Sequence, residues 1–219
     1  MSAAPTTDGW EGLSTSTISD ALDRHGLSGQ ALGVHAAGNG TRVLGPAFTV
    51  RMLPTGIRPG TVGDYVDEVP PGHVVVIDNA GRTDVTVWGD LLTAAALRRG
   101  VAGTVIHGAC RDTAVIGERY PLFVRARTMR TGKGRVELAE LGAAVSLGTV
   151  RVEPGDLVVG DNDGLVIVPS SCVETVFRTA LAIGSIEEQI RIRVAAGDRL
   201  ADARADLSYH RLQSPETAR

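Results

Sequence analysis

Between Trp88 and Asp112 the chain reads WGDLLTAAALRRGVAGTVIHGACRD, with Asp90 separated by twenty residues from the pair Arg111-Asp112. These residue types suit an anion that must be held and polarised. A helix beginning at Gly89 and Asp90 leaves the backbone N–H groups of Gly89, Asp90, Leu91 and Leu92 free at the positive end of its dipole, ready for a carboxylate or phosphate. Arg111 offers a planar fork that grips a carboxylate or enolate oxygen in two places. Asp112 supplies a hard oxygen ligand. One carboxylate does not cage a metal, but Mg²⁺ keeps several waters and takes one or two carboxylates plus a substrate. Asp112, waters and a bidentate 2-oxo acid therefore complete an octahedron, in which the metal acts as a Lewis acid on the keto oxygen. Each residue also has a structural reading. Asp90 and Asp112 are good helix-start carboxylates, and Arg111 can pair with either. Together, an oxyanion pocket, a guanidinium and a carboxylate at one sheet end match enolate chemistry.

The elements around these residues explain how they meet. Trp88, Leu91, Leu92 and Ala95 predict one apolar helical face, the alanine run favours helix, and Gly100 supplies the stop. Val101 to Ile106 reads as a buried strand, with His107 to Cys110 as the turn leaving it. About ten helical residues climb ~15 Å, and five or six strand residues return ~16–20 Å. The strand end is thereby brought back beside the helix start.

At 219 residues with 43% hydrophobic content, the chain suits one domain with short extensions. We divide it into a loose N-terminal segment 1–12, an α/β domain 13–205 and a disordered tail 206–219. Only 4% aromatics and a net charge of −3 argue against a stacking platform or a general nucleic-acid or anionic-membrane surface. Cys110 and Cys172 form no zinc or redox spacing, which fits a reducing cytoplasm. No apolar run approaches the ~18 residues of a membrane span, and the N-terminus lacks a leader pattern.

Elsewhere, Ser16 or Thr17 caps a short helix whose core face is Ile18, Ala21 and Leu22. Asp20 reads as a solvated first-turn carboxylate or as a site residue. Val43 to Met52 resembles a strand interrupted at Gly45-Pro46, and GDYVDEV one or two helical turns. Val69 to Gly81 and Val152 to Gly164 share the pattern V-x-P-G-x-[VL]-V-V-x-D-N-x-G, a turn, a buried strand and an Asx turn out. Their Asp78, Asn79, Asp161 and Asn162 are turn formers or ligands. Asp112 is placed to cap a helix running to Arg119, and Pro121 to Arg127 is a further strand. Arg119, Arg125, Arg127, Arg130, Lys133 and Arg135 form a local basic excess, a solvated loop or an anionic-partner surface. Gly132-Lys133-Gly134 lacks the spacing and hydroxyl of a phosphate loop. Ser170 to about Ala205 is helical, with Gly184 and Gly197 as weak points or boundaries.

The run G-D-L-L…G-V-A-G-T-V-I-x-G-A-x-R-D resembles the RraA-like group, which includes class II 4-hydroxy-4-methyl-2-oxoglutarate/4-carboxy-4-hydroxy-2-oxoadipate aldolases and regulators of ribonuclease E activity. S-D-A-L at Ser19 to Leu22, G-P-A-x-T-V at Gly45 to Val50, P-L-F at Pro121 to Phe123 and P-G-D-L-V-V-x-D-x-D-G at Pro154 to Gly164 extend the resemblance over most of the chain. It implies a single-domain α/β/β/α sandwich of the swivelling-domain type, assembled as trimers or hexamers with sites between subunits. It further implies that Gly89 to Leu92 hold a pyruvyl carboxylate, Arg111 the keto or enolate oxygen, and Asp112 a water-coordinated Mg²⁺ or Mn²⁺. Asp90 would position or deprotonate a water, and Glu187 would reach a neighbouring subunit's metal. The activity implied is retro-aldol release of pyruvate from a 4-hydroxy-2-oxo diacid, with oxaloacetate decarboxylation through the same enolate. The other readings are a non-catalytic regulator of an RNA-processing enzyme, acting through Arg119 to Arg135, and a related lyase or decarboxylase on another oxo acid. Aldolase members of the group often carry Asp where this chain has His107, which reads as a spacer, a donor that orients a site residue, a pH-sensitive group or a satisfied structural histidine.

Overall fold

The computed structural model describes Thr7 and residues 9–38, 41–57 and 60–209. Its helices are α1 (Thr15–Arg24), α2 (Asp90–Arg99), the single turn α3 (Thr113–Ile116), α4 (Val173–Ala195) and α5 (Leu200–Asp206). Its strands are β1 (His35–Ala36), β2 (Val43–Pro54), β3 (Val74–Asp78), β4 (Gly103–Cys110), β5 (Leu122–Arg127), β6 (Val136–Leu141), β7 (Val145–Leu147), β8 (Val150–Val152), β9 (Leu157–Gly160) and β10 (Leu165–Val168).

The long strand β2 organises the sheet. Ala47 to Arg51 pair in parallel with β3, which continues in parallel to β4 and then β5. Val43 to Pro46 instead pair antiparallel with β9, whose other edge carries β10. The expected interruption at Gly45-Pro46 is thus a change of partner within one continuous strand: proline removes a ladder donor where the pairing switches. β6 pairs antiparallel with the far end of β2, and β1 closes the edge beside β5.

Three apolar clusters define the layers. Alternation along β3 to β5 sends Val75, Ile77, Ile106, Leu122 and Val124 toward α2, and Val74, Val76, Val105 and Phe123 toward β9, β10 and the β7–β8 hairpin. The outer faces of β9 and β10, Leu157, Val159, Val166 and Val168, receive Ile18, Ala21 and Leu22 of α1 with Val176, Ala180 and Ile183 of α4. The order helix, sheet, sheet, helix is the expected α/β/β/α sandwich. Ile18 and Leu22 are wholly buried, a contribution of ~1.5–3 kcal/mol each.

Several boundaries differ from the sequence expectation, each for a local reason. Ser14, not Ser16 or Thr17, caps α1 by accepting the Thr17 amide at 3.1 Å, which places Asp20 in mid-helix rather than in the first turn. Strand β4 runs on through His107 to Cys110, because the Ala109 and Cys110 ladder with Ala126 and Arg127 resumes after a register shift. Trp10 to Gly12 form a 3₁₀ turn in which Trp10 is buried and stacks on Phe177 at 5.2 Å, so the end of the segment 1–12 is part of the core. Of the two glycines expected as weak points or boundaries, Gly197 is a boundary, where Arg193 ties α4 to Asp198 and Asp206, while Gly184 lies within an unbroken α4. Asp206 to Tyr209 are therefore placed against the domain, while residues 1–6, 8 and 210–219 lie outside the described residues. The two repeated units become β3 and β9, which meet β2 from opposite sides. Their Asp78 and Asp161 side chains accept the amides of Ala80 at 2.8 Å and Asp163 at 3.0 Å, as turn formers do. Among the described residues, no helix is long and apolar enough to cross a membrane.

Candidate active site

Thr86 to Gly89 run alongside the end of β4. Thr86 bridges Ala109, the Val87 amide donates to Ala109 O at 3.2 Å, and the Arg111 amide donates to Trp88 O at 3.3 Å. Trp88 fixes the corner. Its buried ring stacks on Tyr120, and its Nε1 donates to Thr93 Oγ1 at 2.9 Å, which in turn donates to Gly89 O at 3.0 Å. These bonds start α2 at Asp90, and Gly100 ends it in the left-handed conformation. The buried side of α2 is Thr93 and Ala96, with Leu92 and Ala95 half-buried. Leu91, expected on that face, is 77% exposed, because the buried face is centred on Thr93 and Ala96, and at 3.6 residues per turn Leu91 lies on the opposite side.

The juxtaposition expected from helix and strand lengths is present. The Asp90 amide lies 3.4 Å from Asp112 Oδ2, which is also 3.3 Å from Arg111 Nε. The Leu91 amide donates to Asp90 Oδ1 at 2.9 Å. Two amides of the helix start are thus met by the protein's own carboxylates, so an incoming carboxylate competes with these weak, half-exposed contacts. Gly89 permits the approach, since a Cβ there would lie 3.1 Å from Asp112 Oδ2 and 3.2 Å from Arg111 Nε.

Asp112 occupies the N-cap position of α3, but its side chain makes no capping bond. Its backbone is left-handed, with φ 57° and ψ 22°, a conformation costly for a residue with a Cβ. The strain turns its carboxylate away from the helix that follows and toward Arg111 and Asp90. Cys110 is buried beneath this corner, donating to Trp88 O and Arg111 O; burial, with the nearby Asp112 charge, pushes its thiol up to about 12. It stays a neutral packing group.

A cavity of about 370 Å³ opens here, lined by Gly89, Asp90, Leu91, Leu92 and Arg111, by Gly60 to Asp64, and by Thr131, Gly132 and Lys133. Beyond Arg111 lies a second hollow lined by Arg111, Asp112, Thr113, Arg127, Thr128 and Met129. The guanidinium therefore borders both spaces. The loops at Gly60 to Asp64 and Thr131 to Lys133 were not identified as site residues from the sequence, which carries no periodicity linking them to Asp90. One signal was available: Lys133 is the sole lysine among 22 Lys and Arg residues.

Other candidate residues lie elsewhere. His107 points from the opposite face of β4, where Nδ1 is 3.4 Å from Asp78 Oδ1 and Nε2 is 3.3 Å from Arg125 Nη1. It has a partner for each nitrogen and does not line the cavity, which is the arrangement of a structural histidine. Glu187, on α4, is grouped with Arg191 and Tyr209, and lines hollows distinct from the one at Asp90. The basic residues of 119–135 are dispersed: Arg127 donates to Ala37 O, Arg130 pairs with Asp84, and Arg135 braces the carbonyls of Thr131 and Lys133.

For a metal, the donor set is informative. Among the described residues, no group of three or more His, Cys, Asp or Glu side chains is placed to hold an ion. A caged, all-protein site of the zinc kind is not the arrangement at Asp112. A single half-exposed carboxylate beside a polar hollow fits a hard cation that keeps most of its waters.

Residues 15–167 match the family model described as Aldolase/RraA, RraA-like. The chain is 40% identical over 196 residues to Protein DlpA of Legionella pneumophila, covering 88% of this chain but only 32% of that longer protein. It is 34% identical over 169 residues to a Halalkalibacterium halodurans protein named "Putative 4-hydroxy-4-methyl-2-oxoglutarate aldolase", covering 77% and 78% of the two chains. A solved structure titled as Streptomyces coelicolor RraAS2, an unusual member of the RNase ES inhibitor RraA protein family, superposes with a TM-score of 0.72 at 30% identity over 82% of this chain and 91% of that one. With the matched model spanning most of the domain and the sandwich in place, this chain belongs to the RraA-like family.

Proposed function

We propose that this protein is a carbon–carbon lyase of the aldolase type that releases pyruvate from a 4-hydroxy-2-oxo diacid such as 4-hydroxy-4-methyl-2-oxoglutarate. The observation that carries the reading is the convergence of the α2 start, Arg111 and an uncapped, left-handed Asp112 on one cavity edge. Relatives whose names include that aldolase support it.

In this reading the substrate's C1 carboxylate takes the amides of Gly89 to Leu92, displacing the Asp90 and Asp112 oxygens. Arg111 donates to the C2 oxygen, whose negative charge grows as the bond breaks. Asp90, released from the Leu91 amide, orients a water that removes the C4 hydroxyl proton. The C3–C4 bond then breaks, its electron pair becoming the enolate of pyruvate and C4 becoming a carbonyl carbon. Proton return to C3 gives pyruvate. Asp112 would hold a Mg²⁺ or Mn²⁺ that supplies Lewis-acid polarisation of the oxo group. Oxaloacetate, which loses CO₂ to the same enolate, is decarboxylated as a side reaction. We further place the protein in the cytoplasm as a homotrimer or hexamer, with Glu187 contributed across subunits.

The test is pyruvate release from 4-hydroxy-4-methyl-2-oxoglutarate and from oxaloacetate, with Mg²⁺ and then with a chelator. Turnover is expected to require the metal and to fall at least ~10²-fold in Arg111→Ala, as on removal of an oxyanion donor. Turnover unaffected by chelator, or retained in Asp112→Ala, refutes the mechanism. Absence of turnover on any oxo acid, together with capture of an RNA-processing enzyme through Arg119 to Arg135, would favour the regulator reading supported by the similarity to an RNase ES inhibitor.

A further inference from the structure

We propose that Thr93 is a positioning residue: by holding the Gly89 carbonyl from inside the protein, its hydroxyl aims the Asp90 N–H at the anion that the cavity takes. The proposal rests on the reading of the α2 start as the seat of a 2-oxo acid's C1 carboxylate and adds what fixes that seat.

A peptide unit is planar and trans, so its carbonyl and its N–H point in opposite directions. Whatever holds the Gly89 carbonyl therefore sets the direction of the Asp90 N–H. Thr93 Oγ1 donates to Gly89 O at 3.0 Å, alongside the Thr93 amide at 3.1 Å. On the other side of the same peptide, the Asp90 N–H is directed at Asp112 Oδ2, 3.4 Å away on the cavity edge. Thr93 is completely buried and is not part of the cavity wall, so it acts on a ligand only through this peptide.

A helical threonine commonly bonds the carbonyl four residues back, but this hydroxyl has a second task that removes its freedom to turn. A lone pair of Thr93 Oγ1 takes the Trp88 indole N–H at 2.9 Å, which leaves the hydroxyl proton for Gly89 O. The indole is itself fixed. Its ring is buried and stacks on Tyr120, and the Trp88 carbonyl accepts from Thr86 Oγ1 at 2.6 Å and from the Arg111 amide at 3.3 Å. A continuous line of bonds thus runs from the core, through indole and hydroxyl, to the peptide that meets the ligand.

Thr93→Val keeps the shape of the side chain and removes the hydroxyl. The Gly89 carbonyl then keeps only its backbone bond, the peptide tilts, and the Asp90 N–H meets a carboxylate off line. A hydrogen bond to a charged group is worth ~10- to 100-fold in affinity, and poor aim forfeits part of it.

Calorimetric titration of the Mg²⁺-supplemented protein with pyruvate should show binding at least ~5-fold weaker in Thr93→Val and restored in Thr93→Ser. Combining Trp88→Phe with Thr93→Val removes both partners of the buried bond and leaves neither unpaired. That protein should bind pyruvate at least ~5-fold more weakly than Trp88→Phe alone, whose Thr93 hydroxyl still reaches Gly89. Followed by NMR, the Asp90 amide proton should move downfield on pyruvate addition in the unmodified protein and less in Thr93→Val. In pyruvate release from 4-hydroxy-4-methyl-2-oxoglutarate, Thr93→Val should raise KM and leave kcat within ~3-fold, because the carboxylate is held equally in ground and transition states. Unchanged pyruvate binding in Thr93→Val, a loss that serine does not restore, a fall in kcat alone, or no pyruvate binding by the unmodified protein overturns the proposal. Weakened, serine-restored binding without turnover of any 4-hydroxy-2-oxo acid supports Thr93 while sinking the lyase reading. Turnover with unchanged pyruvate binding in Thr93→Val does the reverse.

Discussion

Replacing Gly89 by alanine tests whether the close approach at the α2 start is functional. Gly89 has φ −163° and ψ −169°, extended backbone that alanine adopts freely, so the change is confined to one methyl group. That methyl would lie 3.1 Å from Asp112 Oδ2, 3.2 Å from Arg111 Nε and 3.4 Å from Arg111 Cγ. The first two separations are too short, and both groups must retreat by a few tenths of an ångström. Stability should barely move. The lower entropy of the unfolded chain favours alanine by ~0.4–1 kcal/mol, and alanine is a poorer N-cap than glycine by an amount of the same order. Melting should therefore stay within ~4 °C of the parent. Activity should not. A misplacement of ~1 Å costs ~10²-fold, so a smaller shift of two groups at once predicts a kcat lower by roughly 10-fold, with KM less affected because Arg111 acts most on the developing enolate. Pyruvate formation at saturating Mg²⁺, alongside thermal unfolding by circular dichroism, measures both. Full activity in Gly89→Ala, or an activity loss matched by an equal loss of folded protein, refutes the argument.

The left-handed Asp112 gives a second test. Asp112→Gly and Asp112→Ala remove the same carboxylate, but only alanine must bear the φ 57° backbone; the glycine variant should melt ~2–4 °C higher, a difference of about 1 kcal/mol, with both inactive. Equal melting would show that the backbone relaxes. A third concerns Asp161. Burial alone would raise its carboxyl, but hydrogen bonds from the Thr15 hydroxyl and amide and from Asp163 and Gly164 outweigh burial and hold it below the usual range. Its folded value being depressed, its stabilisation is present above the unfolded value of ~3.9 and is lost as pH falls through the lower folded one. Thr15→Val should cost ~1–2 kcal/mol in urea unfolding at pH 7, and the gap between the proteins should narrow below about pH 4; a gap independent of pH would assign the loss to packing.

Much of the site was legible because its residues are tied by local lengths. A ten-residue helix and the strand after it return the chain to its starting level, so Asp90 and Arg111-Asp112 could be paired without knowing the sheet. Less legible was anything set by distant packing. Leu91 matched the apolar face by spacing, yet the hydrogen bond from Trp88 to Thr93 turns Thr93 inward and leaves Leu91 in the open. His107 was expected in a turn, but the β3 ladder, with Asp78 opposite it, captures it as strand, and its ring sits between Asp78 and Arg125. Lys133 reaches the cavity through contact between Gly132 and Thr86, forty-odd residues upstream, which no periodicity reports. Asp112 was expected to cap α3, but its left-handed backbone goes with a carboxylate that meets Arg111 and the Asp90 amide instead.

β2 has a consequence for cooperativity. Its first four residues belong to the ladder with β9 and the next five to the ladder with β3, so neither layer can peel away without breaking hydrogen bonds on a strand the other needs. The sandwich cannot open one leaf at a time. Amides of β3 and β9, although in different layers, should exchange with solvent through the same opening event and with the same free energy. The junction also joins residues more than a hundred positions apart, Val43 with Gly160, so it forms only after most of the chain is available. Such long-range closure slows folding, and it makes β9 docking onto β2 the step that commits both leaves together.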